Sequence, residues 1–83
     1  MAFELFTRVA LREDFPQHRL RNGDVGTIVD RHEGLAGQED GYSLEVFNAI
    51  GETIAVMVVR ESQIEPLVSD EVLHVRQLEA VET

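Results

Sequence analysis

Residues Arg21 to Asp30 read RNGDVGTIVD. Two glycines enclose an acid and a valine, and a β-branched run follows. A stretch of this kind can cradle a phosphate, read a nucleic acid, or turn the corner of a small β-barrel. A phosphate-binding glycine loop needs a strand before it, a helix after it, and backbone amides aimed at the anion. Here a strand pattern, Val25 to His32, follows the glycines, and Asp24 would repel a phosphate. The stretch therefore reads as a corner, with a tight turn at Gly23 and close strand packing at Gly26.

The neighbours extend the β pattern in both directions. Phe3 to Leu11 alternates, with Leu5, Thr7, Val9 and Leu11 on one side and Phe6, Arg8 and Ala10 on the other. That predicts a half-buried first strand. A long polar loop broken by Pro16 and Gly23 follows, and its isolated apolar residues Phe15 and Leu20 are expected to fold back over the barrel mouth. In the second strand, Val25 to His32, the consecutive Ile28 and Val29 leave the facing open. A glycine-rich loop leads to Tyr42 to Phe47, where Tyr42, Leu44 and Val46 share one face.

Asn48 to Gly51 then predicts a tight hairpin with a left-handed Gly51. The fourth strand, Glu52 to Val59, is apolar on both faces, so its second face needs cover from the C-terminal tail or from another subunit. A single 3₁₀ turn, RESQ, precedes a short fifth strand at Ile64 to Leu67, which Pro66 places at an edge. Beyond it, Ser69, Asp70 and Glu71 suit a helix start, and Val72, Val75, Leu78 and Val81 recur every third residue. The expectation is a short amphipathic helix from Asp70 to Ala80, with a frayed tail or an extra strand as alternatives. The predicted fold is mainly β: a five-stranded SH3-like small barrel over 1–68, with a C-terminal helix or tail over 69–83.

The bulk numbers bound the function. Eighty-three residues make one domain with little room for a deep catalytic cleft. Without cysteine there is neither a disulfide nor a thiolate metal site. The N-terminal residues lack the basic start and apolar run of a signal peptide, and the longest apolar run, Ile54 to Val59, is too short to span a membrane. A cytoplasmic protein is expected. Sixteen acids face seven arginines and no lysine, a net charge of −9. That balance repels nucleic acid and anionic lipid and favours a basic partner.

The ordered segments FTRVALREDFPQHRLRNGDVGTIVD, GYSLEVF and IGETIAV resemble a family of small bacterial proteins catalogued as domain of unknown function 4926. The residues carrying the resemblance include Val9, Ala10, Leu11, Pro16, Leu20, Gly23 to Thr27, Gly41, Tyr42, Glu45, Gly51, Thr53 and Leu67. It implies an SH3-like β-barrel and no particular activity. NGDVGTIVDRHE is also similar to a KOW motif, and HRLRNGDVGTIV to the SH3-like domain of the nitrile hydratase β subunit.

No catalytic residue, cofactor site or metal site is expected. Ser43, Ser62 and Ser69 sit in no nucleophile motif, and His18, His32 and His74 have no ligand spacing. The function read from the sequence is a non-catalytic protein-interaction module of the antitoxin, immunity or accessory-subunit kind. Its partner would be another protein with basic character, met through Phe15, His18, Leu20, Tyr42 and Phe47, or a second copy met through the fourth strand or the tail. The alternative is a KOW-like binder of RNA or of the transcription and translation machinery. It would use Arg8, Arg12, Arg19, Arg21 and Arg31, which place five of the seven arginines in the first 31 residues.

Overall fold

In the computed structural model, which describes residues 3–78, five antiparallel strands form one sheet in the order β4-β3-β2-β1-β5. They are β1 (Arg8–Leu11), β2 (Val25–His32), β3 (Gly41–Phe47), β4 (Thr53–Arg60) and β5 (Ile64–Pro66). Two 3₁₀ turns, Pro16–His18 and Glu61–Gln63, complete the regular structure of the described residues.

The corner at Arg21 to Asp30 forms as its residues dictate. Gly23 has φ +93°, a left-handed value that a side chain disfavours. Asp24 closes the turn: its amide donates to the Arg21 carbonyl at 2.9 Å, and its carboxylate accepts from the Arg21 amide at 2.7 Å. Gly26 lies flat against β3, where an added Cβ would stand 3.3 Å from Val46 Cγ2 and 3.5 Å from Leu44. In β2 the register shifts between Ile28 and Asp30. That irregularity lets the adjacent Ile28 and Val29 depart from strict alternation, with Ile28 fully buried and Val29 half-buried.

The core is one cluster: Val9, Leu11, Phe15, Leu20, Ile28, Tyr42, Leu44, Val46, Met57, Val59 and Ile64. Phe15 and Leu20 fold back as expected, and their backbones pair at 2.9 and 3.2 Å around the 3₁₀ turn between them. The β3–β4 hairpin also forms as expected. Gly51 has φ +86°, and the Asn48 side chain accepts from the amides of Ile50 and Glu52 at 3.1 and 2.9 Å. The Glu61–Gln63 turn is closed by the Arg60 amide, which donates to Gln63 Oε1 at 2.8 Å.

Three expectations need correction. The first strand starts at Arg8, not Phe3. Phe6 takes φ +64° while its amide donates to the Ile28 carbonyl at 2.6 Å, so the chain turns there and leaves Leu5, Phe6 and Thr7 exposed. The barrel does not close. β4 and β5 are the two ends of the sheet, with no ladder joining them among the described residues. β5 has three residues, and Pro66 brings no amide hydrogen.

The helix from Asp70 to Ala80 is absent over its described part. One turn forms, in which the Val68 amide donates to Glu71 Oε1 at 2.7 Å and the Glu71 amide to the Val68 carbonyl at 3.1 Å. After it the chain runs without regular structure to Leu78. The valines at 72 and 75 favour helix weakly, and a helix this short needs tertiary packing to persist. Both are instead exposed, at 92% and 84%. Ala80 and Val81 lie outside the described residues.

Candidate functional site

The five residues expected to meet a partner do not form one exposed face. Phe15, Leu20 and Tyr42 belong to the core, at 8%, 3% and 0% exposure. The Tyr42 ring meets Phe3 edge-on at 5.6 Å, and its hydroxyl accepts the Phe3 amide hydrogen at 3.0 Å. The phenol's polar end is therefore satisfied inside the fold. His18 is half-buried in the first loop, and Phe47 is exposed at the end of β3. The alternation of β3 marked Tyr42 as inward. Only its aromatic character suggested a contact.

The five arginines are spread over different neighbourhoods, several of them beside acids. Arg8 is exposed at the start of β1. Arg12 faces Glu65 of β5 at 3.8 Å. Arg31 donates from Nε and Nη2 to Asp40 Oδ2 at 3.1 and 2.6 Å. Arg19 and Arg21 sit in the first loop and have side-chain or backbone partners of their own. A strand-tracking basic face needs its cations uncompensated and aligned. Acids interleave these.

The loop between β2 and β3 gathers carboxylates with structural tasks. Asp40 accepts from Arg31 and from the Gly34 amide at 3.0 Å. Glu39 accepts from the Ser62 amide at 2.7 Å and its hydroxyl at 3.0 Å, tying the loop to the 3₁₀ turn after β4. His32 Nε2 lies 2.8 Å from Ser43 Oγ. Among the described residues, no three His, Asp or Glu side chains converge to hold a metal ion.

These bonds to the charged form hold both acids down. Asp40 sits below its ordinary 3.8, through the Gly34 amide first and Arg31 second. Glu39 sits below its ordinary 4.5, through the Ser62 amide and hydroxyl. The unfolded chain therefore binds protons more readily than the folded one. The stabilisation is fully present above about pH 4.5 and is lost as pH falls through the depressed values. The difference in urea midpoint between the wild type and a Glu39→Gln, Asp40→Asn double variant should thus be wide at pH 7 and narrow at pH 3.

The tail forms a second feature. Arg76 donates from Nε to Asp24 Oδ1 at 3.0 Å and from Nη2 to Asp24 Oδ2, and Nη2 also reaches the Arg19 carbonyl at 3.3 Å. The guanidinium is held charged above its ordinary value, mainly by the hydrogen bond to Asp24. This contact lays the tail across the glycine corner over a groove of about 340 Å³, whose walls include Leu20, Val46, Ile54, Leu73 and Leu78. Sequence pattern could not show this pair, because its members are 52 residues apart.

The feature the sequence did mark is the second face of β4. Met57 and Val59 point into the core, and Ile54 is half-buried beside the tail. Val56 and Val58 are 62% and 67% exposed, so the described tail does not cover them. Their neighbours across the ladder on β3 are Glu45 and Ser43. Phe47 and Ile50 add exposed apolar surface to the same hairpin.

Over residues 5–66 the chain matches the family described as Domain of unknown function (DUF4926). No curated protein and no solved structure matched the chain.

Proposed function

We propose that this chain, which belongs to the DUF4926 family, is a non-catalytic module that binds another protein through the outer face of the β3–β4 hairpin. The observation carrying this reading is the pair Val56 and Val58, exposed side by side on a regular strand beside Glu45. Solvent-facing positions of a half-buried antiparallel strand are ordinarily polar. Apolar side chains held there with acids nearby suit a partner that offers apolar contact within a basic surface. A net charge of −9 steers such a partner in, which fits an antitoxin, an immunity protein or an accessory subunit.

A further observation supports the reading. Glu39 and Asp40 are held ionised, the reverse of what a general acid working near neutral pH requires.

A gel shift with single-stranded RNA and duplex DNA at low salt separates this from nucleic-acid binding. No shift is expected. A shift that weakens steeply with salt and disappears in an Arg19→Ala, Arg21→Ala variant would overturn the proposal.

A further inference from the structure

The two edges of the sheet are treated differently by the sequence. An edge strand presents unpaired N–H and C=O groups, and natural proteins blunt such edges by short length, charge or proline. β5 has all three protections: three residues, Glu65 and Pro66. β4 has eight residues, Thr53–Arg60, with no proline and no charge before Arg60. Among the described residues it pairs only with β3. Its ladder is regular from Ala55 to Arg60, the one irregularity lying where Val46 and Phe47 meet Ala55 and Thr53.

We infer that β4 is a self-complementary edge that pairs antiparallel with β4 of a second copy of this chain. The two-fold axis passes through Met57, within the regular stretch Ala55 to Arg60 and midway between the exposed Val56 and Val58. Residues facing each other across a two-fold must share a face, so Val56 of one copy stands opposite Val58 of the other. Four valines then gather on the outer face, while Met57 and Val59 remain in their own cores.

Charge fits this arrangement. Two chains of −9 repel, but the touching segments are uncharged. With the axis at Met57, Arg60 of each copy stands opposite Ile54 of the other, one diagonal step from Glu52 just before that copy's β4. Opposite charges therefore come within diagonal reach at both ends of the joint. The pairing engages the backbone edge beside the side-chain face that a partner would meet; sedimentation of the purified chain reads the first and partner capture the second, so either result can fail alone.

Sedimentation equilibrium of the purified full chain tests it. At high concentration the mass should be twice the 9.4 kDa of one chain. A Val56→Lys, Val58→Lys variant should fall to the mass of one chain with its circular dichroism unchanged, because both side chains face solvent. A single-chain mass for the wild type at all concentrations, or a dimer that survives the double substitution, overturns the proposal. The register has its own readout, since the chain has no cysteine. Val56→Cys and Val58→Cys proteins, mixed and oxidised, should form a mixed disulfide dimer in preference to either self-linked one. Self-linked products dominating would overturn the axis at Met57.

Discussion

Tyr42→Ala should unfold most of the protein at room temperature in mild denaturant. The ring is fully buried among the core residues and stacks edge-on against Phe3. Removing a buried aromatic ring of this size costs about 3–5 kcal/mol. Domains are stable by only about 5–15 kcal/mol, and a chain this short sits toward the lower end. Tyr42→Phe, which removes only the hydroxyl that the Phe3 amide donates to, should cost about 1 kcal/mol. Urea unfolding followed by circular dichroism measures both. A binding tyrosine would behave in the opposite way: its alanine variant would keep the wild-type midpoint and lose the partner.

Gly34→Ala should be the most damaging glycine substitution. A Cβ at Gly34 would overlap the carbonyl oxygens of Gln38 and Glu39, which are backbone atoms and cannot swing aside. The loop must open, which pulls Asp40 from the Gly34 amide and from Arg31 and loosens Glu39 on Ser62. Overpacking of this kind costs about 1–3 kcal/mol. Gly41→Ala is the control, since its added methyl would sit at an ordinary 3.5 Å from the Val59 carbonyl oxygen. Thermal unfolding should show a clear loss for Gly34→Ala and little change for Gly41→Ala.

What was legible in the sequence was what neighbouring residues decide. The glycine corner, the span of β2, the inward set Tyr42, Leu44 and Val46, and the Asn48 to Gly51 hairpin follow from turn chemistry and two-residue periodicity. The turn at Phe6 was hidden, because an apolar residue with positive φ gives no local signal and its amide is satisfied by distant Ile28. Of the expectations for the tail, the helix does not form over the described residues, for a related reason. Its three-residue spacing satisfies a helix on paper, but Arg76 is drawn to Asp24 across the fold.

The candidate site divides the same way. Apolar character on both faces of β4 marked its second face as one needing cover, and the described tail leaves Val56 and Val58 on that face 62% and 67% exposed. The expected contact set, first-loop Phe15, His18 and Leu20 with Tyr42 and Phe47 of β3, mixes residues that fill the small core with residues nearer solvent. The density of arginines near the N-terminus was real, but their acidic neighbours come from other segments, such as Glu65 of β5.

The central claim is that the exposed face of β4 binds another protein. The direct measurement is affinity capture of the tagged full chain from its native cells, run beside the Val56→Lys, Val58→Lys variant and quantified by mass spectrometry. The account predicts one protein at near-equal stoichiometry with the wild type, lost with the variant although the variant stays folded. Retention of that same protein by the folded variant would contradict it.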